Sequence, residues 1–209
     1  MKYLNLPKNY NGVIPSMFMV EIEQPPEGWK LRGVYFNEAH FYLPISSEGF
    51  KIKVIKLPYA VGDVVGVREK GKVIAHEKIV SVDVKRVRKL TFGDLKALGY
   101  SVVKGCLNNM SLGESASIET TKFINWFNSF YTKLRPVKEK GKIVSYRCWV
   151  YDMDSWKEWY KNTLKKSLNR EFQVKMMCSK PRLYKGLPLK IIVNPFVLVL
   201  AGNKYVNNQ

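Results

Sequence analysis

Apolar positions recur with period two in the first half of the chain and with helical period further on, so strands are predicted first and helices later. Met17-Phe18-Met19-Val20 forms the apolar centre of a strand over Val13–Glu23, which the turn-rich Gln24-Pro25-Pro26-Glu27-Gly28 interrupts. Leu31–Phe36 and Phe41–Ile45 are also β-like. Lys51-Ile52-Lys53-Val54-Ile55-Lys56-Leu57 alternates charged and apolar residues, which predicts a half-buried strand with a basic outer face. Pro58 ends it, and Gly62-Asp63 turns the chain into Val64–Glu69. Lys70-Gly71-Lys72 then leads to a strand region at Ile79–Val87. There Val80, Val82, Val84 and Arg86 fall on one face, and Ser81, Asp83, Lys85 and Val87 on the other.

Thr91 is placed to cap a short helix, with Asp94 at its third position and Gly99 at its stop. Ser111–Ser117 reads as a loop. Phe123, Trp126, Phe127, Phe130, Tyr131 and Leu134 form an amphipathic stripe from Thr121, with Pro136 just beyond it. Glu139-Lys140-Gly141-Lys142 predicts a hairpin turn before a strand over Ile143–Tyr151. Ser155 and Glu158 fit a capping box for a helix carrying Trp156, Trp159, Tyr160, Thr163 and Leu164 on one face. Arg170–Lys190 is basic and irregular, and Ile191–Leu200 reads as a last strand. Terminal strands need partners, so a closed, barrel-like sheet joining the two ends, with helices inserted, is the expected arrangement.

Composition narrows the classes. The chain has 209 residues, of which 46% are hydrophobic and 13% aromatic. That is enough for a core and excludes a disordered basic tail. Its most apolar run, Ile191–Ala201, contains Asn194 and Pro195 and falls short of the ~18 residues of a membrane span. The opening MKYLNLPKNY lacks the apolar core of a signal peptide, so a cytoplasmic location is expected. Cys106, Cys148 and Cys178 are scattered and read as reduced packing residues. His40 and His76 have no second ligand at helical spacing, and no metal or other cofactor is expected. Glycine-rich phosphate loops and the GxSxG elbow are absent.

Charge changes the picture most. Thirty-five Lys and Arg against seventeen Asp and Glu give a net +18. Residues 121–190 hold 17 basic and 5 acidic residues, 17 − 5 = +12, while residues 1–120 hold 17 and 12, or +5. A second, smaller cluster is Lys85-Arg86-Val87-Arg88-Lys89. Such asymmetry points to an anionic partner, nucleic acid ahead of an anionic membrane.

Five segments, in order, resemble the ASCH domain of the PUA-like superfamily, above all its bacteriophage-encoded versions. Ile14–Val20 resembles the family's opening strand. Pro58–Glu69 is similar to its PYxxGDxLxVRE segment, and Ile79–Tyr100 to the strand and helix that follow. Phe123-Ile124-Asn125-Trp126-Phe127 matches its FxxLW helix, and Asn194–Val199 its closing NPWVWV strand. The resemblance implies an α+β fold: a small β-barrel with packed helices, one domain over residues 1–209, enlarged by a basic helical insertion at 101–190. It also implies a cleft associated with RNA. Some ASCH amidohydrolases that deacetylate N4-acetylcytidine use a Lys, a Thr three residues on, and a helical Glu. Here Lys30 and Arg32 align, no Thr follows, and Leu98 stands at the acidic position.

The expected function is therefore nonenzymatic binding of RNA, or of another single-stranded nucleic acid, with DNA a second partner and no membrane. The cleft would supply Lys30, Arg32, Tyr59 and Arg68, and the insertion Lys157, Lys161, Lys165, Arg170, Lys180, Arg182 and Lys185. Lys85, Arg86, Arg88 and Lys89 would form a third contact. One alternative is a ribonuclease or nucleoside amidohydrolase using Lys30, Glu69 and Tyr59, although Arg68-Glu69 reads more readily as an internal charge pair. The other is a phage protein that binds a host protein through Trp149, Trp156, Trp159 and Tyr160. The oligomeric state is not fixed by the sequence.

Overall fold

The computed structural model describes residues 1–6, 13–46, 49–100, 109–112, 121–124, 127, 135–152, 154 and 183–205. In chain order the strands are β1 (Lys2–Asn5), β2 (Met17–Glu21), β3 (Lys30–Tyr35), β4 (Glu38–Ser46), β5 (Gly49–Lys56), β6 (Val64–Glu69) and β7 (Lys72–Arg86). A 3-10 turn, Val87–Lys89, and a helix, α1 (Phe92–Ala97), follow. Then come β8 (Arg135–Glu139), β9 (Lys142–Val150), β10 (Leu183–Tyr184), β11 (Leu187–Val193) and β12 (Phe196–Lys204). Two compact units emerge: Met1–Ser111 with Phe196–Gln209, and Leu112–Pro195.

These elements overturn the α+β barrel expected from the sequence. Strands account for 60% of the described structure and helices for 11%, and the main sheet is a curled half-barrel. Its order is β1-β6-β7-β12-β2. The chain's two ends do not close it, because β1 lies parallel to β6 at one edge while, among the described residues, β2 pairs only with β12 at the other. The run read as one strand, Ile191–Leu200, is two. Asn194, at φ 47, and Pro195 break it, so β11 belongs to the second unit and β12 to the first.

In the first unit a three-stranded antiparallel meander, β3-β4-β5, shares a core with the five-stranded sheet. Phe41 of β4 meets Phe196 of β12 edge-on, with ring centroids 5.0 Å apart. Ile55, Leu57, Val65, Ile79, Leu198 and Leu200 complete its centre. The Gln24 amide bonds both backbone groups of Phe196, accepting from its N–H at 2.8 Å and donating to its carbonyl at 2.7 Å, which fixes where β12 begins. After β7, Thr91 caps α1 as expected, Asp94 completes a capping box with it, and Gly99, at φ 80, follows the helix.

Strand β7 corrects a second expectation. Ile79 and Val84 are buried, but Val80 is exposed. Ser81 pairs with Ala201 and Ile79 with Gly202, so Val80 is the extra residue of a β-bulge that resets the alternation.

The second unit carries a sheet of order β10-β11-β9-β8, with β9 and β11 parallel. Lys140 and Gly141, both at positive φ, form the β8–β9 turn predicted from the sequence. Cys148, Trp149, Val150 and Tyr151 are buried, and residues 121–124 are helical, with Phe123 and Phe127 packed ring to ring at 6.1 Å. Burial pushes the Cys148 thiol up to about 12, which makes it an inert packing residue. The other two cysteines and the helix expected after Ser155 lie outside the described residues.

Candidate nucleic-acid interface

The meander has two unlike faces. Cross-strand pairs Ile55–Ala39 and Lys53–Phe41 belong to the core side, where the Lys53 ammonium reaches Glu23 at 2.9 Å at the rim. Pairs Val54–His40, Ile52–Tyr42 and Phe50–Pro44 belong to the other side. There Phe50, Ile52 and Val54 remain 54%, 51% and 44% exposed. Tyr42 meets Phe50 at a centroid distance of 6.4 Å, and the exposed Tyr35 meets His40 at 4.9 Å. Tyr35 folds back over Gly33, where a β-carbon would approach its ring to 3.3 Å.

This face corrects the basic outer side expected for residues 51–57. Val54 and Ile55 are adjacent, so an alternating strand can bury only one of them. Ile55 and Leu57 enter the core, which leaves Ile52 and Val54 outside.

Lys30, opposite Tyr42, and Lys56, opposite Glu38, bring positive charge to this outer side, whereas Lys51 falls on the side of Lys53. The three strands carry five Lys or Arg residues and a single acid, Glu38, which sits 3.4 Å from His40. Lys30, Arg32, Lys51 and Lys56 are exposed. Arg32 is the unpaired residue of a bulge, since Leu31 pairs with Phe41 and Gly33 with His40. A bulge re-aims the side chain that it inserts. Arg32 lines an open pocket of about 440 Å³ together with Leu31, Tyr42 and Phe50.

The other sequence-derived candidates are distributed differently. Tyr59 and Arg68 meet at Tyr3 of β1, not at Lys30 and Arg32. The Tyr59 hydroxyl donates to the Tyr3 carbonyl at 2.7 Å, and the Arg68 guanidinium lies 3.3 Å from the centre of the Tyr3 ring. Gly66 makes room for that ring, because a β-carbon there would come within 2.8 Å of it. Arg68 is therefore a stacking residue and not the internal partner of Glu69, whose carboxylate is 3.9 Å from Lys70. Burial, reinforced by the Asp63 charge, pushes the Tyr59 phenol up, away from general-base use at neutral pH. Burial also pushes the Asp63 carboxyl up, but the Lys2 ammonium at 2.6 Å and the Ala60 N–H outweigh it and hold the group below its ordinary value.

In the 85–89 cluster, Lys85 is held by Asp94 at 3.0 Å and 3.1 Å. The Arg86 guanidinium covers the Phe196 ring at 4.1 Å, and burial pulls its pKa down. Arg88 and Lys89 are exposed on the 3-10 turn. Lys185 is exposed at the β10–β11 turn, at φ 50. Lys157, Lys161, Lys165, Arg170, Lys180 and Arg182 lie outside the described residues.

Tyr35, Tyr42, Phe50, Ile52 and Val54 were not among the sequence candidates. Their signal was the Val54-Ile55 doublet, together with Tyr42 and Phe50 bracketing a hairpin. Among the described residues no group of three or more His, Cys, Asp or Glu is placed to hold a metal ion, and no helix is long and apolar enough to cross a membrane. No family model, curated protein or solved structure matches this chain.

Proposed function

We propose that the protein binds RNA without transforming it, holding the phosphate backbone through exposed cations. The observation that carries this reading is the β3–β5 meander, where Lys30, Arg32, Lys51 and Lys56 are exposed with Glu38 as the one acid on the same strands. A chain of net +18 has too few carboxylates to neutralise its own Lys and Arg, so an added polyanion gains from releasing its counterions. The segments resembling the ASCH domain point toward the same ligand class.

Backbone binding of this kind predicts a steep salt dependence. Each phosphate contact on a single strand contributes about −0.7 to the slope of log K against log salt. Replacing Lys30 and Arg32 together by Gln should weaken RNA binding and reduce the slope by about 1.4, two contacts' worth. Fluorescence anisotropy over a salt series checks it. A flat salt response in the native protein would overturn the reading.

A further inference from the structure

We infer that the outer face of the β3–β5 meander stacks unpaired nucleotide bases, so that the protein selects single-stranded over double-stranded nucleic acid. The inference rests on the proposed binding to RNA and adds what part of the strand is read. Four aromatic side chains carry it: Tyr35, Phe36, Tyr42 and Phe50.

The apolar strip of the face has few groups that hydrogen-bond to base edges, and its complement is the flat face of a base. A duplex hides those faces inside its stack, whereas an unpaired strand offers them to aromatic side chains. The surrounding cations supply the charge complement. Arg32, bulged out beside Tyr42 and Phe50, is placed to take a phosphate while the rings take the base. The pairs Tyr35–His40 and Tyr42–Phe50 are two residues apart along β4, or about 7 Å. That is twice the ~3.4 Å step between stacked bases, so a strand using both sites must open its own stack.

Phe36 adds an independent sign. It sits at the tip of the β3–β4 hairpin, 95% exposed, in the left-handed region at φ 54. A bulky aromatic there is unfavourable twice over, for its backbone and for its exposed ring, and Asn or Gly would suit the turn better. The positive φ belongs to the hairpin turn, as at Lys70 and Lys140, but the turn does not need an exposed aromatic ring, and such a ring at the end of a basic sheet is free to stack.

The test measures binding of a short single-stranded RNA, and of the same RNA annealed to its complement, to the full chain at physiological salt. The native protein should prefer the single strand at least tenfold. Tyr42→Ala and Phe50→Ala should each weaken it by about 5- to 150-fold, the range for one lost stacking contact, and leave duplex binding unchanged. Phe36→Asn should weaken it while raising or preserving the melting temperature, an outcome that a structural role for Phe36 would not give. Equal affinity for both RNA forms, or wild-type single-strand affinity in all three variants, overturns the stacking inference and leaves salt-dependent RNA binding standing. Failure of the native protein to bind either RNA even at low salt overturns the RNA reading, and the stacking inference with it.

Discussion

Cations accompany aromatic rings in the first unit in two ways, to opposite effect. Around Tyr3 and Phe196 the pairs are closed: Arg68 covers one ring and Arg86 the other. On the outer face of the meander, Lys30 and Arg32 accompany Tyr35, Tyr42 and Phe50, of which Tyr35 and Phe50 are exposed and Tyr42 is half-buried. The residue types are the same, but only the open set has both the charge and the π-surface left for a ligand. A guanidinium already lying on a ring at 3.3 Å contributes to the fold, and its charge alone is no sign of a binding site.

The sharpest way to break the comparison uses two neighbours on β4. Phe41 is fully buried against Phe196, and Tyr42 points to the other face. Phe41→Ala should cost about 3–5 kcal/mol of stability. Tyr42→Ala, at a half-buried position that packs against Phe50, should cost about 1 kcal/mol or less, with its main effect on binding. Denaturant unfolding of both variants decides it, and comparable losses would mean that the outer face is structural.

A smaller effect tests the closed set. Arg68→Ala should cost about 1–2 kcal/mol, through the lost stack and the lost cover over Tyr3, and leave RNA affinity at the native value. Weaker RNA binding without lost stability would move Arg68 to the open set.

The smallest effect concerns a carboxyl on the closed side. Glu77 of β7 is buried, and burial pushes its pKa above the ordinary 4.5 while Lys204 pulls the other way. The native state therefore keeps a proton that the unfolded chain has released. The stability from this group is complete below about pH 4.5 and is lost as pH rises through the raised native value. Glu77→Gln removes the loss, so the variant should melt above the native protein at neutral pH, and the gap should close in acid. Thermal melts across that range check the sign.

Local chemistry was readable in the sequence wherever one residue type dictates one geometry. Val64–Glu69 is a strand with the expected ends, Thr91 and Asp94 cap a helix, and Lys140-Gly141 turns a hairpin. Features set by distant partners were not. Strand β1 is only Lys2–Asn5, and it exists because β6 offers a parallel edge. The bulge at Val80 depends on the pairing with β12, and the break at Asn194 on a chain that crosses from one unit to the other. The stacking face stayed hidden for a related reason. Alternation separates the two sides of a strand but does not say which side meets the core, and at Val54-Ile55 the core of the five-stranded sheet decides.

The position of β12 governs how the molecule is made. It lies between β7 and β2, and among the described strands β2 has no other neighbour in its sheet. Synthesis runs from the N-terminus, so β2 is made early and its partner only after every other described strand. Through that interval β7 and β2 present unpaired edges and uncovered apolar residues, the kind of surface on which nascent chains associate wrongly. The first unit thus closes late and by long-range pairing, which is slow. Correct closure of the sheet therefore depends on those edges staying shielded until β12 arrives.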